Sequence, residues 1–170
     1  MAVTKIAFVG THGVGKTTLC YELAAWMKKH EARVDMVREV ARRCPLPINR
    51  ETTLDAQSWI LHTQIADEIQ LANEQDVVIC DRSLLDNYAY LVYRLPPPPT
   101  LDALVAHWMR TYTHLFKVPI VNPPAFDGTR DTNRAFQEAV DQKVDELIDR
   151  FGVTVYRLAP DDRPNWIEQV

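Results

Sequence analysis

The chain has 170 residues, of which 46% are hydrophobic and 25% are charged, and its formal net charge is −4. This length predicts one domain, residues 1–170, with a single sizeable core, and the acidic balance argues against nucleic-acid binding through a broadly basic face. The three cysteines, Cys20, Cys44 and Cys80, lack a metal-ligand spacing, which favours isolated thiols in a reducing compartment. No signal peptide precedes the first apolar run, and no apolar run approaches the roughly 18 residues of a membrane span. We therefore expect a cytoplasmic protein without a membrane partner.

The first elements are a strand and a helix. Val3 to Val9 is an apolar run typical of a buried strand, and Lys16 to about Lys29 has the three- and four-residue spacing of a helix. The predicted inner face of this helix consists of Leu19, Leu23, Trp26 and His30. We therefore expect Trp26 to lie in the core.

The residues between this strand and this helix, Gly10 to Thr17, fit the phosphate-binding P-loop pattern G-x-x-x-x-G-K-[ST]. Glycines let the backbone curl so that successive N–H groups face phosphate oxygens, and the following helix adds its positive N-terminal end. Lys16 is expected to reach the β- and γ-phosphates, and the Thr17 hydroxyl to ligate Mg²⁺. His12 is expected to contribute its backbone alone. The predicted nucleotide site consists of Gly10, Thr11, His12, Gly13, Val14, Gly15, Lys16, Thr17 and Thr18.

A second strand is predicted at Val34 to Val37, and a dense set of charges, Arg38 to Arg43, follows it. Ligands of open α/β sheets bind beyond the carboxyl ends of the strands. Glu39 would therefore face the site that the P-loop begins, with a solvated turn as the alternative interpretation.

A long helix is predicted next, capped by Thr53 and running to about Asn73 after the break at Cys44 to Pro47. Its predicted apolar face consists of Leu61, Ile65, Ile69 and Ala72. Trp59 and Gln64 are candidates to face a substrate cleft, and a structural role is the alternative for both.

Val77 to Cys80 is a continuous apolar run, the pattern of a parallel strand buried on both faces. Asp81, Arg82 and Ser83 follow it directly. An aspartate in this position is the Walker-B arrangement, in which the carboxylate holds Mg²⁺ directly or through water. Thr17 and Asp81 are therefore the predicted metal ligands.

The middle of the chain is predicted to hold two helices. The first runs from Leu84 to Arg94 and stops before four prolines at 96–99, which form a stiff extended spacer. Thr100 is expected to cap the second, from Leu101 to about Tyr112.

A fourth strand is predicted at 115–121, although Pro119 removes a ladder donor and the strand can end there. Residues 122–134 are polar and rich in turn formers. The helix that follows is expected to stop at Gly152, and its apolar face consists of Phe136, Val140, Val144, Leu147, Ile148 and Phe151. Residues 153–158 alternate as a fifth strand near the sheet edge should.

Strands that alternate with helices in this way predict an α/β domain of the P-loop NTPase type. The expected architecture has three layers, α/β/α, with a five-stranded and mainly parallel sheet. A switch GTPase is disfavoured, because the base-reading sequence N-K-x-D is missing. Asn73-Glu74-Gln75-Asp76 lacks the lysine and precedes a strand instead of following one.

Over nearly its whole length the chain resembles the small P-loop kinases of the nucleoside and nucleotide type. The resemblance is greatest to the nicotinamide riboside kinase domain, with deoxynucleoside kinases and thymidylate kinases as relatives. It rests on four places: Gly10 to Thr18, the Glu39 region, Asp81-Arg82-Ser83, and Asp127-Gly128-Thr129-Arg130 with Arg134.

The resemblance implies transfer of the γ-phosphoryl group of ATP or GTP, with Mg²⁺, to a small acceptor. By position, Glu39 resembles the carboxylate that orients or deprotonates the acceptor hydroxyl. Asp81 resembles the metal-linked carboxylate, and Arg82 the arginine near the transferring phosphate.

The resemblance also implies a lid of about residues 122–134 that closes over the triphosphate and carries Arg130 and Arg134. Lys16, Glu39 and Arg82 would complete the catalytic set with Asp81 and these two lid arginines. Gln64 resembles a helix residue that contacts the acceptor in some relatives.

The acceptor stays open at this point. A nucleoside, including nicotinamide riboside, ranks first, and a nucleoside monophosphate or a polynucleotide 5′-hydroxyl are alternatives. Arg38, Arg42 and Arg43 are candidates to hold an acceptor phosphate, or they are surface charge. A regulatory NTPase without any small acceptor is the alternative of another class. Neither the donor base nor the oligomeric state can be read from the sequence.

Overall fold

The computed structural model describes residues 3–123 and 131–170. The strands are β1 (Thr4–Val9), β2 (Val34–Val37), β3 (Val77–Asp81), β4 (His114–Lys117) and β5 (Tyr156–Arg157). The helices are α1 (Lys16–Lys29), α2 (Leu54–Glu74), α3 (Leu84–Arg94), α4 (Pro99–Met109), α5 (Arg134–Phe151) and α6 (Trp166–Gln169). Short 3₁₀ helices cover 40–43, 49–51 and 163–165.

The five strands form one sheet in the order β2-β3-β1-β4-β5, and every neighbouring pair is parallel. Thr4 lies opposite Val77 on one side of β1, and Ile6 lies opposite His114 on the other. Since the strands are parallel, their carboxyl ends meet at one edge of the sheet. The predicted five-stranded parallel sheet is confirmed.

Helices cover both faces of the sheet, because successive residues of the central strands point to opposite sides. Ile6 and Phe8 of β1 pack in a core with α1 and Trp166. Ala7 and Val9 pack in a larger core with residues of α2, α3, α4 and α5. The predicted three-layer α/β/α architecture is confirmed.

Most helix ends follow from local chemistry. Thr53 Oγ1 accepts a hydrogen bond from Ala56 N at 3.2 Å, and Asn133 Oδ1 accepts one from Phe136 N at 2.9 Å. Gly152 ends α5 with a φ of 61°, the left-handed conformation that glycine adopts freely. The predicted start of α4 was two residues late, since Pro99 is its first residue and Pro98, not Thr100, precedes it as the N-cap. Proline suits a first helical position, which has no N–H bond to make.

Two apolar faces differ from the prediction. Trp26 is 54% exposed and lies against the ring of His30, which is exposed too, because the inner face of α1 continues from Leu23 to Met27. Ile69 is 57% exposed, because the buried stripe of α2 passes instead through two polar residues. These residues are Gln64 and Glu68.

Two strands are shorter than predicted. β4 ends at Lys117, before Pro119, and β5 keeps only two residues of the predicted 153–158. The position of β5 at the sheet edge is confirmed. Of the predicted lid, Asp127 to Arg130 lie outside the described residues, and Arg134 is the first residue of α5. No helix in the described ranges combines the length and the apolar character needed to cross a membrane.

Candidate functional site

The loop between β1 and α1 wraps around the N-terminus of α1 because three glycines adopt positive φ values. These are 147° at Gly10, 76° at Gly13 and 100° at Gly15. A Cβ atom at Gly10 would lie 2.8 Å from the carbonyl oxygen of Val118, so the first glycine is also required by close packing. The P-loop geometry that the motif predicts is present.

Carboxylates and an amide from neighbouring helices hold this loop. Asp86 of α3 accepts a hydrogen bond from Gly10 N at 2.6 Å, and Asp141 of α5 accepts one from Thr11 N at 3.4 Å. Gln137 Nε2 donates to the carbonyl of His12 at 2.8 Å. The N–H groups of the first two loop residues therefore bond to protein carboxylates. Nucleotide binding by these two residues stays a prediction.

Lys16 is buried, and its ammonium group donates to the carbonyls of Gly10 at 2.8 Å and Thr11 at 2.5 Å. Burial and the nearby Arg82 lower the pKa of Lys16 to about 8, against the opposite effect of Asp86, Asp81 and Glu39. The lysine thus lies inside the P-loop, where the motif requires it.

Thr17 and Asp81 are neighbours at the start of α1 and the end of β3. The Thr17 hydroxyl donates to Asp81 Oδ2 at 2.6 Å. Burial raises the pKa of Asp81 above its usual value, against the effect of the Thr17 hydrogen bond and of Lys16. Hydroxyl and carboxylate oxygens are hard ligands, and Mg²⁺ usually takes one or two carboxylates and completes its shell with water and phosphate oxygens. These two side chains therefore fit a magnesium site.

Glu39 and Arg82 form an ion pair between the ends of β2 and β3. Arg82 Nε and Nη2 donate to Glu39 Oε1 at 2.8 and 2.7 Å, and Arg42 Nε donates to Glu39 Oε2 at 2.7 Å. Burial acts to raise the pKa of Glu39, but Arg82, Lys16 and Arg42 outweigh it and lower this pKa to about 2. Glu39 is therefore a carboxylate at neutral pH.

The Arg82 guanidinium is buried and lies over the ring of Tyr90, with 5.2 Å between Cζ and the ring centroid. No described residue accepts a hydrogen bond from its Nη1 atom. Its backbone has a φ of 95°, which is rare for a residue with a side chain. Arg82 thus keeps a buried charged donor without a partner among the described residues.

These groups line one cavity of about 760 Å³, counted with its open mouth. Beyond Glu39 and Arg82, the cavity extends into a lobe with apolar walls from Ala41, Ile48 and Ile60. Polar side chains of α2 and α3 line the cavity as well. They are Gln57, Asn87 and Tyr90.

Gln57 is buried, and its Nε2 atom donates to Thr52 Oγ1 at 2.8 Å. No described residue donates to its Oε1 atom. The sequence analysis missed Gln57, Asn87 and Tyr90. Yet α2 runs from the carboxyl edge of the sheet back to the start of β3, so its first turn must lie at the site edge. The direction of the chain could therefore have predicted that Gln57, in the first turn of α2, lies at the site.

Three of the other predicted residues, Gln64, Trp59 and Arg134, do not line this cavity. Gln64 is buried behind Arg82, with its amide bonded to Glu68, Asn87 and the Arg82 carbonyl. Trp59 packs against the larger core. Arg134 is half-exposed and pairs with Glu138 at 2.6 Å, and Arg130 lies outside the described residues.

A second cavity lies on the other side of Glu39, between α1 and α2, and its lining includes Thr17 and Asp81. Arg38, Arg42 and Arg43 all line it, and Arg42 lines the first cavity as well. Arg43 pairs with Asp67. Two of the three arginines that the sequence offered for an acceptor phosphate thus have carboxylate partners.

Comparison with known proteins supports the fold described above. The family model described as an AAA domain matches residues 5–165. A deoxyadenosine kinase from M. mycoides, solved with bound dATP, aligns with a TM-score of 0.69 and 16% identity over 98% of this chain and 96% of that one. A thymidylate kinase from Ehrlichia chaffeensis aligns with a TM-score of 0.67 and 18% identity over 93% and 87% of the two chains. No curated protein matches significantly. At these identities the structural matches establish the fold.

Proposed function

The chain belongs to the AAA domain family, and from this premise we propose that it is a P-loop kinase that transfers the γ-phosphoryl group of ATP or GTP to a small nucleoside-like acceptor. The observation that carries the proposal is the shared cavity. In it, the P-loop, the Glu39–Arg82 pair and an apolar lobe with polar ends lie side by side. The groups that would bind a triphosphate and the groups that would bind an acceptor are therefore neighbours, as phosphoryl transfer between two bound molecules requires.

Lys16 and the backbone N–H groups of residues 13–18 would bind the triphosphate of the donor. Thr17 and Asp81 would hold Mg²⁺, which would supply positive charge to offset the charge of the phosphates. Arg82 lines the same cavity, and its guanidinium would contact the transferring phosphoryl group and supply positive charge there. Positioning and charge neutralisation supply most of the catalysis in this chemistry.

Glu39 would accept a hydrogen bond from the acceptor hydroxyl and direct its oxygen toward the γ-phosphorus. A new bond forms between that oxygen and the γ-phosphorus. The bond from the γ-phosphorus to the β–γ bridging oxygen breaks, and the nucleoside diphosphate leaves. With a pKa of about 2, Glu39 is a weak base. It would therefore take the proton only late in the transfer, when the hydroxyl oxygen has become acidic.

Gln57 would read the ring of the acceptor. Its side chain lines the cavity, its Oε1 atom has no donor among the described residues, and a buried acceptor left unpaired costs free energy. An exocyclic amino group or ring N–H of a nucleobase would satisfy it, while Ile48 and Ile60 contact the ring faces. Nucleobases and the carboxamide of nicotinamide both supply such N–H donors.

A nucleoside monophosphate, as in thymidylate kinases, is the second candidate acceptor. The observation that favours it is Arg42, which lines both cavities and lies beside Glu39. The nicotinamide riboside alternative rests on the resemblance of the sequence motifs alone.

The test is a screen of acceptors with MgATP and with MgGTP, in which the phosphorylated product is measured directly. We expect product from one class among nucleosides, nicotinamide riboside and monophosphates. Slow hydrolysis that no acceptor stimulates would favour the regulatory NTPase instead. Product from oligonucleotides with a 5′-hydroxyl, and from no small molecule, would identify a polynucleotide kinase.

Gln57→Leu then tests the acceptor lobe. We expect the KM of the acceptor to rise about 10- to 100-fold, the effect of an unpaired buried polar group, while the KM of the donor changes little. Gln142→Leu, an exposed change on α5, is the matched control. Equal acceptor KM values for the two variants would contradict the role given to Gln57.

A further inference from the structure

We propose that Gln64 is a positioning residue, which together with Glu68 holds the backbone of Arg82 in the conformation that keeps its guanidinium at the phosphates. This inference rests on the proposed function, in which Arg82 contacts the transferring phosphoryl group. It replaces the acceptor contact that the sequence suggested for Gln64.

The backbone of Arg82 needs such support. With a φ of 95°, it has a conformation that residues with a Cβ atom adopt only when their surroundings impose it. Asp81 before it is the candidate metal ligand, and Ser83 after it precedes α3. A relaxed backbone at this position would redirect the guanidinium away from Glu39.

Gln64, on α2, supports the backbone of Arg82 through hydrogen bonds. Its Nε2 atom donates to the carbonyl of Arg82 at 2.9 Å and to Glu68 Oε1 at 3.0 Å. Its Oε1 atom accepts from Asn87 Nδ2 at 2.5 Å. The amide is therefore bonded at both ends, and its orientation is fixed by groups on α2 and α3.

Glu68 anchors this contact in the body of the protein. It is fully buried, and Lys5 of β1 pairs with its Oε2 atom at 2.8 Å. Trp108 Nε1 donates to the same oxygen at 2.8 Å, and the Tyr112 hydroxyl donates to Oε1 at 2.6 Å. Burial and the Glu68 carboxylate raise the pKa of Tyr112 well above its usual value, so this hydroxyl stays a donor.

The same network makes a second contact with the chain just after Arg82. The Tyr112 oxygen also accepts a hydrogen bond from Leu84 N at 3.2 Å, two residues after Arg82. Glu68 is thus connected to the chain at two points, at the Arg82 carbonyl through Gln64 and at Leu84 N through Tyr112. A fully bonded buried network of this kind is rigid, and it gives Arg82 one backbone position.

The test uses two substitutions of Gln64. Gln64→Met keeps the volume and removes the hydrogen bonds, while Gln64→Glu keeps an acceptor for Asn87 and loses the N–H donors. We expect kcat to fall about 10- to 100-fold, as small misplacements of catalytic groups do, with the KM of ATP changed less than about threefold. Val144→Ala, a buried truncation in α5 outside this network, is the control for general destabilisation.

A double-mutant cycle separates positioning from general damage. In an Arg82→Lys background, the Gln64 substitutions should lower kcat by less than about threefold, because the guanidinium they position is gone. Equal fold-losses in both backgrounds, or a loss in Gln64→Met no larger than in Val144→Ala, would overturn the proposal.

A spectroscopic measurement does not depend on turnover. In ¹⁵N spectra, the Arg82 Nε–H resonance, identified by its absence in Arg82→Lys, should shift or broaden in both Gln64 variants and stay in place in Val144→Ala. An unmoved resonance in a folded Gln64→Met protein overturns the positioning role. A protein that phosphorylates no acceptor, but whose resonance moves, would contradict the proposed function and leave the role of Gln64 in place.

Discussion

At the scale of single residues, the Glu39–Arg82 pair determines the charge of the proposed catalytic carboxylate. Arg82 is buried, and Glu39 with its 14% exposed side chain is largely removed from water. Three cations face Glu39, namely Arg82, Lys16 and Arg42. The site therefore keeps Glu39 charged over the whole physiological range, and a candidate kinase of this design should show no ionisation of this group near neutral pH.

This arrangement predicts a pH dependence of stability. The folded-state pKa of Glu39, about 2, lies below its ordinary value of 4.5. Ionised Glu39 therefore stabilises the folded state fully above pH 4.5, and this stabilisation is lost as the pH falls toward 2. Linkage gives a loss of roughly 2 kcal/mol between pH 5 and pH 3 from this one group.

Denaturant unfolding of the wild type and of Glu39→Gln at pH 7, 5, 4 and 3 measures this effect. The free energy of unfolding of the wild type should exceed that of the variant most at pH 7 and approach it as the pH falls. A difference that stays constant down to pH 3 would show that the Glu39 pKa is not lowered.

At the scale of secondary-structure elements, α3 holds the P-loop through one carboxylate. Asp86 accepts hydrogen bonds from Gly10 N and from Ser83 N, each at 2.6 Å, and is fully buried. It therefore caps α3 and anchors the start of the P-loop at the same time. Both N–H groups would be left unpaired without it.

We expect Asp86→Ala to lower the free energy of unfolding by about 2–4 kcal/mol, the combined effect of two lost charged hydrogen bonds. Asp55→Ala, an exposed carboxylate in the first turn of α2, is the control and should cost less than about 1 kcal/mol. Urea unfolding of the two variants measures both values. Equal losses of unfolding free energy in the two variants would show that the hydrogen bonds of Asp86 to the P-loop and to α3 do not stabilise the fold.

The sequence predicted elements better than side-chain roles. The P-loop and the run before Asp81 were recognised because their chemistry requires particular residues at fixed spacings. Gln57 and Gln64 are seven residues apart, which places both on one face of α2, so periodicity cannot choose between them. They differ by two turns along the helix axis, and only the docking of α2 on the sheet brings Gln57 to the cavity.

Exposed apolar residues were the other source of error. Trp26 is as apolar as a core residue, but Met27, at the four-residue spacing from Leu23, takes the inner position. Glu68 shows the reverse case. A glutamate is expected on the surface, and its full burial depends on Lys5 and Trp108, which are remote in the sequence.

At the scale of the whole molecule, binding at the P-loop should stabilise the fold, because a ligand that binds the native state alone shifts the unfolding equilibrium. At a concentration of 100 times Kd the gain is about 2.7 kcal/mol. For a chain of this size we expect MgATP to raise Tm by roughly 5–10 °C. Thermal scans with and without nucleotide measure the shift.

Lys16→Met should remove most of this shift, since the ammonium group inside the P-loop is lost. Lys28→Met, at the exposed end of the same helix, should keep it. A shift of equal size in both variants would contradict binding at the P-loop.

The sheet order also has a consequence for synthesis. β1 pairs with β3 and β4, so its first neighbour is made only when residues 77–81 have appeared, and its second with residues 114–117. At about 5–20 residues per second, the apolar strand Thr4–Val9 waits several seconds or longer without a partner. Parallel pairing between remote segments is slow to form. The nascent chain therefore passes through a period in which its central strand is unpaired and prone to aggregation.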